Sequence, residues 1–125
     1  MPLIPLKSHI ESCVLEDPAE DYRTARRSAQ FRIGRQAIYF PAFPGTRYIP
    51  YQAVTRALTR NTQLPLTGCC GKALPMTRLR LYYGEEAYQD FLFEKQEEAN
   101  GALDAVLEAR PDLPEEREAR PLRAL

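Results

Sequence analysis

The residues best suited by type to chemistry fall in one stretch, PLTGCCGKALP at residues 65–75. There Cys69 and Cys70 stand side by side between Gly68 and Gly71, and Lys72 follows. Three chemistries use such residues. Structural zinc needs four nitrogen or sulfur ligands, usually with cysteines paired as C-x-x-C. Adjacent cysteines cannot easily turn both thiolates to one ion, Cys13 is a lone third thiol, and His9 is the only imidazole, so the pattern does not favour a metal. A redox switch needs a thiol whose pKa is lowered by a nearby cation or a helix start, and Lys72 is the neighbour placed to do it. A phosphate loop needs G-x-x-x-x-G-K-[ST], but Gly68 and Gly71 are three apart and Ala73 follows Lys72. The favoured reading is an inter-strand loop whose glycines permit a tight turn, with a redox or metal role for Cys69 and Cys70 kept below it.

Nucleophilic catalysis has less to work with. His9 lies in a proline-flanked N-terminal segment, no G-x-S-x-G elbow occurs, and the carboxylate pairs Glu85–Glu86 and Glu97–Glu98 sit in polar stretches that read as solvated faces. The arginines are the more suggestive group. Arg23, Arg26, Arg27, Arg32, Arg35, Arg47, Arg56, Arg60, Arg78 and Arg80 far outnumber lysine in the middle of the chain, with Tyr39, Tyr48, Tyr51, Tyr82 and Tyr83 among them. Arginine pairs in a bidentate fork with carboxylate or phosphate. A basic sheet face bearing aromatics suits acidic protein surfaces, anions or single-stranded nucleic acid.

The charge is segregated although its total is zero. Residues 1–20 carry one basic and four acidic groups, residues 21–80 carry 11 basic groups and only Asp21, and residues 81–125 carry five basic and 12 acidic groups. Packing of the basic middle against the acidic end is the simplest account. At 125 residues, 44% of them apolar, the chain has material for one core. No run approaches the ~18 apolar residues of a membrane span. The start lacks the basic and apolar regions of a signal peptide, and an odd cysteine count argues against a disulfide framework. A cytoplasmic location with reduced thiols is expected, with no metal and no cofactor.

These groups must be held by elements that the patterning outlines. Asp17 and Pro18 suit the cap and first position of a short helix. FRIG and AIYFPAF read as strand, tight turn, strand, and PGT at 44–46 as a type II turn before RYIPYQAV. Pro41 and Pro50 predict edge strands or bulges, since proline cannot donate to a ladder. Residues 51–59 fit either a strand or a helix face, with strand slightly preferred. TRLRLYYG alternates Thr77, Leu79, Leu81 and Tyr83 with Arg78, Arg80 and Tyr82, a strand with one apolar and one basic face. Residues 85–93 fit a helix from Glu85 or a strand over DFLFE, and the strand is preferred because it buries Phe93 with Phe91. Ala99, Ala102, Leu103, Val106 and Leu107 then form one helical stripe, ended by Pro111. Gly101 inside that helix costs roughly 1 kcal/mol against alanine.

Short antiparallel strands closed by one amphipathic C-terminal helix resemble the pleckstrin-homology-like architecture. AIYFPAF, YIPYQAV, LRLYYG and DFLFEKQEEANGALDAVLEARPDL look like small bacterial proteins of this kind whose function is not established. The resemblance implies a binding or scaffold role. Its inositol-phosphate binders use basic residues on the first two strands and their joining loop, which match Arg32 and Arg35 here. The turn is short and lacks lysine, a departure that weighs against lipid phosphate.

The expected fold is therefore α+β, a bent antiparallel sheet or partly open barrel capped by one C-terminal helix. Residues 1–29 form a lead-in with a short helix, 30–112 the domain, and 113–125 a mobile tail. The expected function is non-catalytic, a protein-interaction or scaffold domain. The first rival is binding of an anion or nucleic acid through Arg32, Arg35, Arg78 and Arg80, and the second is an enzyme.

Overall fold

Alternation of side chains across a pleated backbone divides the residues of this chain between a shared core and two outer faces. The computed structural model describes residues 6–42, 45–65 and 73–121. The loop expected around Cys69, Cys70 and Lys72 lies outside these residues, as does Pro44 of the turn expected at 44–46, whose Gly45 and Thr46 open a strand. In chain order the elements are β1 (Leu6–Ser8), α1 (Pro18–Arg23), β2 (Arg26–Ser28), β3 (Phe31–Ile33), β4 (Ala37–Ala42), β5 (Gly45–Pro50), a single 3₁₀ turn (Tyr51–Ala53), β6 (Arg56–Pro65), β7 (Ala73–Tyr82), β8 (Tyr88–Phe93) and α2 (Gln96–Ala109).

Two sheets result, one of five strands in the order β1-β5-β4-β3-β2 and one of three in the order β6-β7-β8. Neighbours pair antiparallel except β1, which joins β5 in parallel. Phe31, Ile33, Ile38, Phe40 and Ile49 from the first sheet meet Ala57, Leu79, Leu81, Phe91 and Phe93 from the second. Aromatic edges make the join, with Phe31 and Phe40 ring centres 5.2 and 5.3 Å from that of Phe91. Helix α2 covers this core with Ala99, Ala102, Leu103 and Val106, the expected stripe, while Leu107 is partly buried beside it. The architecture is thus a mixed α+β fold of bent sheet capped by a long C-terminal helix. No helix among the described residues is long and apolar enough to cross a membrane.

Several local expectations hold for local reasons. Asp17 caps α1 by accepting from the Glu20 N–H at 3.1 Å, with Pro18 at the first position. Phe91 and Phe93 lie buried on one face of β8, as the strand reading requires. Residues 51–59 divide between both readings, because the 3₁₀ turn ends at Ala53 and β6 begins at Arg56.

Three expectations change. Pro41 and Pro50 are in interior strands, not edge strands. They are tolerated because β3 pairs with β4 only at Ile38 and Tyr39, and β1 pairs with β5 only over Thr46–Tyr48, so each proline lies past the end of one neighbour. Residues 6–28 are more than a lead-in. They supply two strands, and Leu6, Leu15 and Tyr22 pack on Ala37, Tyr39 and Tyr48 at the back of the first sheet. Residues 37–40 are consequently buried on both faces. The expected free tail is also laid down: Leu113 packs on the core, Glu116 bridges to Leu58, and Glu118 is 5% exposed.

Candidate interaction surface

Register decides which arginines meet. Leu79 and Leu81 of β7 face the core, so Arg78, Arg80 and Tyr82 point outward. Strand β6 places Arg60 opposite Arg78, Leu58 opposite Arg80 and Arg56 opposite Tyr82. Strand β8 completes the rows with Leu92, Asp90 and Tyr88. The outer face of this sheet therefore carries Arg-Arg-Leu, Leu-Arg-Asp and Arg-Tyr-Tyr in successive rows.

The charges on this face are unequally matched. Arg80 grips Asp90 in a bidentate pair at 2.7 and 3.1 Å, and its guanidinium carbon lies 4.0 Å from the Tyr88 ring centre. That hydrogen bonding to Asp90, with a further bond to Tyr82, raises the Arg80 pKa above its ordinary value. Arg78 donates to the Thr62 hydroxyl at 3.1 Å and reaches Asp90 only at 4.0 Å. Arg60 donates to the main-chain carbonyls of Thr59 and Glu116. Arg56 forms a second fork, with Glu116, at 2.8 and 2.7 Å. Four arginines thus share two carboxylates, and Arg60 and Arg78 are steadied mainly by neutral acceptors.

Arg32 and Arg35 do not join Arg78 and Arg80. Phe31 and Ile33 point to the core, so Arg32 points to the back of the first sheet, where it stacks 4.8 Å from the Tyr22 ring centre. Arg35 is in the β3–β4 turn, and its N–H donates to Asp21 Oδ1 at 2.9 Å. It also lines a cleft of about 590 Å³ between this turn and α2, where Arg26 and Arg35 share the walls with Asp104 and Glu108. The four predicted arginines therefore divide among three places, and only Arg78 and Arg80 share a surface.

The remaining reactive groups are dispersed. His9 is wedged edge-on between Phe40 and Tyr83, with Nε2 2.9 Å from the Tyr83 hydroxyl, and burial together with Arg47 lowers its pKa. Cys13 is a half-buried free thiol. No group of three or more His, Cys, Asp or Glu side chains able to hold a metal occurs among the described residues.

Arg56 and Arg60 stand in the arginine-rich middle of the sequence but outside the four predicted site residues, and Asp90, Glu116 and Asp21 were not among the candidates. Arg60 was readable, since the alternation of RALTRNT continues the strand beyond residue 59. Asp90 and Glu116 act through cross-strand and tail contacts that no local pattern marks. Asp21 carried a faint signal as the lone acid among the 11 cations of residues 21–80. It is 6% exposed and accepts from the N–H groups of Arg35 and Gln36 and from the Tyr39 hydroxyl. Burial of Tyr39 itself, followed by its bond to Asp21, raises the Tyr39 pKa.

Comparison with known protein families, with curated proteins and with solved structures finds no match to this chain.

Proposed function

We propose that this chain is a non-catalytic interaction domain of pleckstrin-homology-like architecture that docks an acidic segment of a partner protein on the outer face of β6–β8. A meander of β2 to β5, a meander of β6 to β8 and a terminal helix support the architectural part of this reading. The observation that carries the functional part is the excess of arginine over carboxylate on a face that also offers Leu58, Leu92, Tyr82 and Tyr88. Arginines already oriented by neutral acceptors lose little freedom when a carboxylate arrives. Aromatic and aliphatic neighbours add contact area of the kind found at binding hot spots.

Tyr88, 46% exposed, and its neighbour Tyr82 also favour a second reading, stacking of nucleic-acid bases. The placing of the rings weighs against it, since both tyrosines fall in one of the three rows and Arg80 already lies over the Tyr88 ring, leaving no series of free faces for successive bases. The experiment is a titration of the full chain with a labelled peptide of alternating glutamate and leucine, run beside labelled single-stranded oligothymidine. The peptide is expected to bind with marked salt sensitivity. The combined Arg78→Ala and Tyr88→Ala change should weaken it about tenfold, or about 1.4 kcal/mol. Tighter binding of the oligonucleotide, or peptide affinity unchanged in the variant, would overturn the proposal.

A further inference from the structure

Strand β6 is an edge strand, and an edge presents unpaired N–H and C=O groups ready to pair with another chain. Here the edge is already occupied. Residues 115–120 run beside it, with Glu116 in parallel register with Leu58. The Thr59 N–H donates to the Glu116 carbonyl at 2.9 Å, the Glu118 N–H donates to Thr59 Oγ1 at 2.7 Å, and the Asn61 N–H donates to Glu118 Oε1 at 2.9 Å. Helix α2 forms the other wall. Gln96 Nε2 and Asn100 Nδ2 both donate to the Glu118 carbonyl at 3.2 Å, and Arg117 pairs with Asp104 and Glu115.

What holds this strap is almost wholly polar. Leu113 is its last residue packed on the core, and Pro114, Ala119 and Pro121 are all exposed. Hydrogen bonds and half-exposed ion pairs trade against water and contribute modestly each. Release of the strap beyond Leu113 would give up polar contacts, those of Glu118 the largest, but would take no apolar residue out of the core. Its seat reads a pattern: a carboxylate at one position for the Arg56 fork, a second carboxylate two residues on for the Asn61 N–H, and a main-chain carbonyl for two side-chain amides. Gln96 Oε1, buried beside the seat, has no hydrogen-bond partner among the described residues, an acceptor that the strap leaves unused.

We infer that the groove between β6 and α2 is a docking site for an extended Glu-x-Glu segment of a partner protein, which displaces the chain's own residues 114–121. The inference rests on the reading of this chain as an interaction domain, and it adds a second surface with its own selectivity and a built-in competitor. The competitor sets the affinity, because a partner gains access only to the fraction of molecules with the strap released.

The test uses the full chain and a labelled peptide of sequence PEEREARP, copied from residues 114–121. Arg117→Ala, with Arg117→Gln as a second and milder variant, loosens the strap without altering the seat, because Asp104 remains to pair with the arginine of the peptide. Both should bind the peptide more tightly than the parent chain, about tenfold for Arg117→Ala, if the released fraction rises by that factor. In Arg117→Ala, where the strap is loosened, bound peptide should slow hydrogen exchange at the Thr59 and Asn61 amides, and a peptide with its glutamates changed to glutamine should fail to do so. Unchanged affinity in both variants, or no protection of those two amides, would overturn the inference. So would a concentration-dependent dimer of Arg117→Ala, which would make a second copy the occupant. Peptide binding lost on changing Arg78 and Tyr88, yet indifferent to Arg117, would place the peptide on the sheet face. That result sinks this inference and leaves the proposed function standing.

Discussion

Gly34 and Asp21 touch so closely that a Cβ added to Gly34 would stand 2.2 Å from Asp21 Oδ2 and 2.8 Å from its Cγ. The carboxylate ties α1 to the β3–β4 turn through the Arg35 and Gln36 N–H groups and the Tyr39 hydroxyl. Glycine here admits a buried, hydrogen-bonded charge. Gly34→Ala should push that carboxylate off its donors and cost about 2–4 kcal/mol. Chemical denaturation measures it, and a midpoint equal to that of the parent would refute the contact.

Glu118 should make the chain acid-sensitive. Donation from the Asn61 N–H, aided by Arg120, holds its carboxyl down to about 2. The unfolded chain takes up this proton nearer pH ~4.3. Stability from this group is therefore complete above that value and lost as pH falls toward the folded pKa. The loss is on the order of 2–3 kcal/mol. Denaturation midpoints between about pH 6 and about pH 2.5 should fall steeply for the parent chain and less for Glu118→Gln. Equal slopes would exclude the role.

His9 gives a second, separate pH window. Burial, with Arg47 nearby, lowers its pKa below the ordinary 6.5, so the unfolded chain binds the proton more readily. Stability should be full above that value and decline as pH drops through the folded pKa. His9 is the only histidine, and the depressed carboxyls of Glu116 and Glu118 titrate below it, so the window is its own. His9→Gln should flatten the midpoint between about pH 7.5 and about pH 5. A decline that persists in the variant would assign it elsewhere.

Some of the candidate surface was legible in the residues and some was not. The outward set Arg78, Arg80 and Tyr82 follows from the pleat of β7 alone. Their cross-strand partners do not, because register depends on where two strands meet. Arg32 and Arg35 share residue type with Arg78 and Arg80, yet periodicity carries no information about which sheet a strand joins. The β2–β3 hairpin was hidden for a different reason: its turn places Ala29 at φ 56°, a left-handed position that glycine usually marks.

The sequence by itself determined the period of each long element: the two-residue alternation of β7, the apolar stripe of α2 and the capped start at Asp17. These follow from backbone geometry and need only near neighbours. Tertiary structure decided that Leu6, Leu15 and Tyr22 pack on the back of the first sheet, that the four predicted arginines divide among three places, and that residues 115–120 lie along β6. Those outcomes depend on contacts between residues far apart in the chain. The strap shows why most plainly, for a segment held by hydrogen bonds has no hydrophobic pattern to announce it, and the groups that hold it lie 13 to 60 residues away.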